Sequence, residues 1–202
     1  MKTKSFKLMP RVPLWQGYIA KTVEPLFTPN QCKMIIDAGH QFWQEEAKVG
    51  GGKDGNDTEK RVTKISWIPF DQLPQMYDKV ENQLSSVNLN HFMFDGIKIT
   101  EPAQFTVYPE GGFYDWHIDL SAYGHTGQQP IRKISMTCLL SDPSEFSGGD
   151  LLFSDISEYN PTPLKQGQAL FFASFLRHKV TPITKGTRKS LVMWFGGTPF
   201  KW

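Results

Sequence analysis

Several of the features that narrow a protein's function most quickly are scarce in this chain of 202 residues. Cysteine is one of them: Cys32 and Cys138 are the only two, too few for a disulfide framework, and a reducing compartment is the expectation. Charge of one sign is another. With 22 Lys and Arg against 20 Asp and Glu, the chain has no basic footprint for nucleic acid or an anionic membrane surface. Long apolar runs are missing too, since no window approaches the roughly 18 apolar residues of a membrane span. The N-terminus is basic, but Pro10 and Pro13 interrupt it and no apolar stretch of signal-peptide length follows. A cytoplasmic protein with no nucleic-acid or membrane partner is therefore expected. The chain has no internal repeat and no low-complexity tract, and its length suits one domain with a sizeable core.

What is present falls into two textures. Residues 1–95 are expected to form an arm, two bracing helices and a mobile loop, and residues 96–202 a β-rich core, together one structural domain. Thr28-Pro29-Asn30-Gln31 predicts a helix start, with Thr at the N-cap, Pro at the first helical position and Gln at the third. Cys32, Ile35, Ile36, Phe42 and Trp43 continue at helical spacing to about Glu46. The segment 48–60 carries Gly50, Gly51, Gly52, Gly55 and Asn56 among charges, and reads either as a solvent loop or as a lid over a pocket with Arg61 at its hinge. Arg61–Ile68 alternates like a strand. A second helix from about Asp71 or Leu73 has Met76, Val80, Leu84 and Val87 as its buried stripe. From Gly96 onward, short β-rich runs are separated by Pro and Gly, as in a sandwich or barrel. The class is α+β and mainly β, with helices packed on one sheet.

The stretch Tyr108–Asp119 organises the rest: a strand, a Gly111-Gly112 turn, and a second strand ending in His117-Ile118-Asp119. Residues two apart on a strand share a face, so His117 and Asp119 would present an imidazole and a carboxylate side by side. A second stretch, His178 to Ser190, reads as a hairpin with a three-residue loop Lys185-Gly186-Thr187 and Thr184 opposite Arg188. Arg188, Ser190, Val192 and Trp194 would then share the cavity face, with Leu191, Met193 and Phe195 turned into the core. A buried Arg needs an anionic partner, and its fork suits a carboxylate. His117, Asp119 and His178 make a two-histidine, one-carboxylate set of the kind that holds non-haem iron(II) with open positions. A structural polar cluster or a zinc site are the alternatives, although a closed zinc site would want four ligands. His40 is expected to be a helix-surface or packing residue, His91 a capping or surface residue, and His125 exposed.

In these pieces residues 101–199 resemble the iron- and 2-oxoglutarate-dependent dioxygenases, on their prolyl-4-hydroxylase-like branch. The matching residues are Tyr108 and His117-x-Asp119, Gly148-Gly149-Asp150-Leu151 with Phe153, then His178-x-Val180-x-Pro182 and Gly186-x-Arg188-x-Ser190. The resemblance implies a double-stranded β-helix, or jelly roll. It implies Fe(II) on His117, Asp119 and His178, with 2-oxoglutarate and dioxygen as cosubstrates and ascorbate as a candidate reductant. Arg188 would pair with the distal carboxylate of 2-oxoglutarate, and Tyr108, Ser190, Trp194, Ser135 and Thr137 would be further contacts in the cofactor pocket. Relatives often carry a Tyr where Leu139 stands, so one contact is missing or replaced here. The presence of Asp119 favours hydroxylation over halogenation. Trp194 stands where base-repair relatives have a second Arg, which again speaks against nucleic acid. The implied substrate is a prolyl residue in a protein or peptide, with a free amino acid or other small molecule as the alternative. A catalytically inactive jelly-roll binding module is the reading from another class.

Overall fold

The computed structural model describes residues 18–42, 45–46, 61–120, 131–154 and 163–198. The segment 48–60 and His125 lie outside these residues, so the expectations placed on them are not addressed below. In chain order the strands are β1 (Ile19–Lys21), β2 (Glu45–Glu46), β3 (Arg61–Val62), β4 (Lys64–Ile68), β5 (Lys98–Ile99), β6 (Ala103–Tyr108) and β7 (Phe113–His117). They continue as β8 (Ile131–Leu139), β9 (Phe146–Gly148), β10 (Leu151–Phe153), β11 (Ala169–Ala173), β12 (His178–Val180), β13 (Ile183–Gly186) and β14 (Arg188–Gly197). Helix α1 spans Pro29–Gln41 and α2 spans Pro74–Val87.

An eight-stranded sheet runs β1-β11-β8-β14-β6-β4-β2, with β5 added to β14. A four-stranded sheet runs β10-β12-β7-β3, and β13 pairs β9. Every pairing is antiparallel. Two sheets, with the site between them and helices behind the larger, are the jelly roll that the family resemblance implied.

Alternation along β14 sorts the molecule into two compartments. Leu191, Met193 and Phe195 are fully buried on the face toward the helices, in one apolar cluster with Cys32 and Ile35 of α1, Val80 and Leu84 of α2, and Phe105 and Met136 of the sheet. The opposite face, in register across β6, β14 and β8, carries Tyr108 beside Arg188, Thr106 and Leu139 beside Ser190, and Ser135 beside Trp194. That face is polar because it lines the site.

Helix α1 starts as its sequence demands. Thr28 Oγ1 accepts from Gln31 N at 3.3 Å, and Gln31 Oε1 accepts from Thr28 N at 3.0 Å. It stops at Gln41, because Phe42 turns extended. The expected continuation to Glu46 is wrong: Glu45–Glu46 instead pair with Ile65 and Lys64, where the free edge of β4 offers backbone hydrogen bonds. The α2 stripe of Met76, Val80, Leu84 and Val87 is buried as expected, joined by Tyr77. The Tyr77 hydroxyl donates to Ile68 O and accepts from Ala103 N, pinning α2 to two neighbouring strands.

Two strand assignments need correction. Arg61–Ile68 is not one strand: Arg61–Val62 pairs with β7 in the small sheet, and Lys64–Ile68 with β6 in the large one. The change of sheet falls at buried Thr63. The hairpin expected across His178–Ser190 does not form either. β12 pairs with β10 and β7, β13 with β9, and β14 with β6, β8 and β5. Pro182 has no N–H to extend the β12 ladder, and the chain then crosses from the small sheet to the large one.

Candidate active site

Strand β7 ends at His117, so Asp119 lies just past the strand and not on it as the alternation suggested. Backbone hydrogen bonds hold it there: Asp119 N and Leu120 N both donate to Ser174 O, at 3.0 and 2.8 Å. His178 faces His117 directly across the β12–β7 pairing, with the two ring centroids 4.1 Å apart. The set His117, Asp119 and His178 thus gathers within the small sheet and the loop that follows β7, with no contribution from β14.

The chemistry of this cluster fits a metal. His117 Nδ1 donates to Asp115 O at 2.7 Å and His178 Nδ1 donates to Leu176 O at 2.9 Å. Each ring therefore keeps its Nε2 lone pair for a ligand bond, the orientation in which metal-binding histidines are usually held. His117 Nε2 is 3.8 Å from Asp119 Oδ1, and His178 Nε2 is 3.5 Å from Asp119 Oδ2. One ligand atom from each residue lies within 4.8 Å of the others. Burial, then the neighbouring His178, lowers His117 to about 4, so its imidazole is neutral at physiological pH. Burial alone would raise Asp119; His178, His117, Ser135 and Trp194 outweigh it and hold the carboxyl below its usual range.

These residues line a cavity of about 540 Å³ between the sheets. Arg188, Tyr108, Thr137 and Trp194 line it from the large sheet, and Arg61 from β3. Arg188 is buried, and burial pulls its pKa down against the opposing influence of Tyr108, Cys138 and Asp150. Its Nη1 donates to Ser190 Oγ at 3.1 Å, and its guanidinium carbon lies 5.4 Å from the Tyr108 ring centroid. Among the described residues no carboxylate forms an ion pair with it. Ser135 Oγ is 2.9 Å from Ser174 Oγ. Arg61 donates from Nε to Thr63 Oγ1 at 2.8 Å and from Nη2 to Gln104 Oε1 at 3.2 Å, over the ring of Tyr114. Leu139 is buried behind the site, beside Ser190. His40 is exposed on α1, as expected of a surface histidine.

Three site residues were not singled out from sequence. Tyr114 stacks flat on His117, with centroids 3.4 Å apart, and alternation does not announce it because the ring reaches along its own strand. Ser174 anchors Asp119 through its carbonyl, a role any residue type could fill. Gly149 entered the sequence analysis only within the Gly148-Gly149-Asp150-Leu151 match, with no role of its own. A Cβ there would stand 2.8 Å from Arg188 Cδ and 2.5 Å from Ile183 Cδ1, at a φ of +71°.

Comparison with known proteins agrees with this geometry. A model of the 2OG-Fe(II) oxygenase superfamily matches residues 103–196. A PKHD-type hydroxylase of Psychrobacter sp. is 26% identical over 170 residues, covering 82% of this chain and 63% of its own length. A PKHD-type hydroxylase of Pseudomonas aeruginosa is 33% identical over 95 residues, or 46% of this chain and 42% of that protein. The chain thus spans between about two fifths and two thirds of these curated relatives. Among solved structures, a Trichoplax adhaerens prolyl hydroxylase in complex with a hypoxia-inducible-factor peptide fragment superposes with a TM-score of 0.70. It is 17% identical, over 91% of this chain and 86% of that one. With the fold, the cluster and the matched residues in agreement, residues 103–196 are similar to the 2OG-Fe(II) oxygenase superfamily, and the chain has the fold of solved prolyl hydroxylases.

Proposed function

We propose that this protein is an Fe(II)- and 2-oxoglutarate-dependent hydroxylase acting on a C–H bond, with a prolyl residue in a peptide as its substrate. The observation that carries the reading is the buried Arg188 guanidinium. It has no carboxylate ion partner among the described residues, and it shares a cavity with the His117, Asp119 and His178 cluster. A cation held out of water is costly unless a ligand supplies the anion, and a dicarboxylate cosubstrate reaching the metal would do so.

When bound, iron together with 2-oxoglutarate and dioxygen supplies the oxidising power to replace C–H with C–OH, the 2-oxo acid leaving as succinate and carbon dioxide. The chain's own residues supply position. His117, Asp119 and His178 would hold the metal, the Nδ1 protons of the two imidazoles already committed to backbone carbonyls. Arg188 receives the distal carboxylate of the cosubstrate, with its stem fixed against Gly149 and its fork steadied by Ser190. Tyr108, buried beside it, offers a hydroxyl to the same ligand. Thr137, Val192 and Trp194 wall the cavity, and Arg61, held by Thr63 and Gln104, faces the substrate's approach.

The prolyl peptide rests on similarity to relatives named as hydroxylases, one of them solved with a peptide bound. The test is succinate release from 2-oxoglutarate by Fe(II)-loaded protein, with prolyl peptides assayed for a 16 Da mass gain. Succinate without peptide hydroxylation would move the substrate to a small molecule. No metal binding and no succinate would make the chain a binding module.

A further inference from the structure

We infer that Arg61 selects the substrate by charge: its guanidinium grips a carboxylate carried by the hydroxylated residue or by its immediate neighbour. This rests on the hydroxylase reading above and narrows the class of its substrate. The starting observation is a balance of charge. The charged residues lining the cavity are Arg61, Arg132, Arg188 and Asp119. Arg132 has its counter-ion within the fold, through a two-pronged pair from Nε to Glu101 Oε1 at 2.6 Å and from Nη2 to Glu101 Oε2. Fe(II) and a 2-oxoglutarate dianion cancel each other, and histidine ligands bind as neutral imidazoles. Three arginines against Asp119 and Glu101 then leave one positive charge over. A cavity of one sign draws a ligand of the other.

That charge is left at Arg61. Among the described residues no carboxylate forms an ion pair with it. Its two hydrogen bonds go to neutral oxygens, Thr63 Oγ1 at 2.8 Å and Gln104 Oε1 at 3.2 Å. Both partners are buried, and Thr106 Oγ1 donates to the same Gln104 oxygen at 3.3 Å, which fixes the amide. A guanidinium has five N–H groups, so three remain for a ligand. A head steadied in advance by neutral partners keeps its charge and gives up little freedom on binding.

Its place sets how far the carboxylate can be from the reacting C–H. Arg61 stands opposite Tyr114 in the β3–β7 register, with its guanidinium carbon 4.5 Å from the Tyr114 ring centroid. Tyr114 in turn stacks on His117, at 3.4 Å between centroids. One phenol ring therefore separates the guanidinium from a proposed metal ligand. An extended residue spans about 3.5 Å, so a C–H presented at the metal brings within reach of Arg61 only groups on its own residue or the next. The free α-carboxylate of a terminal proline and the side chain of an adjacent Asp or Glu both supply that chemistry.

The experiment uses the full chain with Fe(II) and 2-oxoglutarate, and three peptides: acetyl-Gly-Pro with a free C-terminal carboxylate, the same peptide as its amide, and acetyl-Gly-Pro-Glu amide. Hydroxylation is followed as kcat/KM for each. The parent should prefer a carboxylate-bearing peptide to the plain amide by about 10- to 100-fold, mainly through KM. A preference for the free terminus alone identifies the α-carboxylate, and a preference for the Glu peptide identifies an acidic neighbour. Arg61→Gln should bring all three peptides to within about twofold of one another, and Arg61→Lys should keep part of the preference. Arg61 also joins β3 to β6, but a merely structural role would slow the three peptides alike and leave their ratio unmoved. Equal use of all three by the parent, hydroxylation of none of them, or the parental preference retained in Arg61→Gln would overturn the inference. Should Arg61→Gln fail to fold, an unchanged preference in Arg61→Lys overturns it instead. Succinate release without peptide keeps the two readings apart: its presence in the parent leaves the cosubstrate site standing whatever the peptides do, and its absence removes both.

Discussion

Arg188 shows how much a single residue depends on its neighbours. Its charge is useful because it is buried, and it can be buried because Gly149 lets its stem pass. Arg188→Ala should raise the KM for 2-oxoglutarate roughly 10- to 100-fold, the loss of a charge-assisted pair, with Co(II) affinity nearly unchanged. Arg188→Lys should be milder, keeping the charge and losing the fork. Steady-state succinate release at varied 2-oxoglutarate, set beside a Co(II) titration, separates the two effects. Gly149→Ala should resemble Arg188→Ala in KM, since its Cβ must displace the guanidinium stem from a backbone position that disfavours side chains. Burial raises the thiol of Cys32 to about 11 and that of Cys138 well above its ordinary value. Neither should react with iodoacetamide at pH 8 in the folded protein, and both should once it is unfolded, as counted by intact mass.

At the scale of elements, the packing of α1 on the large sheet and the position of β12 matter most. Gly39 of α1 lies against β6 so closely that a Cβ there would stand 2.4 Å from the Phe105 ring, and Ser66 Oγ donates to Gly39 O at 2.6 Å. Gly39→Ala should therefore destabilise the fold by about 1–3 kcal/mol, despite the better helix propensity of Ala, and be read as a lower Tm. His178→Ala should abolish Co(II) binding while the protein still folds. The reason differs from the one the hairpin reading suggested: His178 faces His117 and Phe153 within the small sheet, away from Arg188's strand. Retention of parental Co(II) affinity in this variant would remove His178 from the ligand set.

For the whole molecule, the division of labour between the sheets has an energetic consequence. The proposed metal ligands belong to the small sheet and its flanking loop, while Arg188 and Tyr108 belong to the large one. A cosubstrate that touches both would tie the two layers together. Metal at about 100 times its Kd should add roughly 2.7 kcal/mol, or about 5–10 °C in Tm for a domain of this size. 2-Oxoglutarate should add a further increment only when metal is present. Scanning calorimetry with Co(II), 2-oxoglutarate and both would show this as more than additive stabilisation.

Much of this was legible in the sequence because it depends only on local rules. The capping box at Thr28, the α2 stripe and the alternation of Arg188 to Phe195 follow from backbone period and side-chain chemistry, whatever the partners. The types of the candidate ligands were legible for the same reason, since few residues serve a metal or a dicarboxylate. Partners were a matter for tertiary structure. Pairing is decided by which edges remain free and where the chain must cross from one layer to another. So Arg61–Ile68 divides between two sheets, α1 yields Glu45–Glu46 to the edge of β4, and the expected hairpin gives way to three strands that each pair elsewhere. The support around Asp119 is of the same kind. Ser174 and Asp119 are far apart in the chain, and no local period links them. What joins them is the folded arrangement: Ser174, just after β11 of the large sheet, accepts from Asp119 N in the loop that follows β7 of the small one.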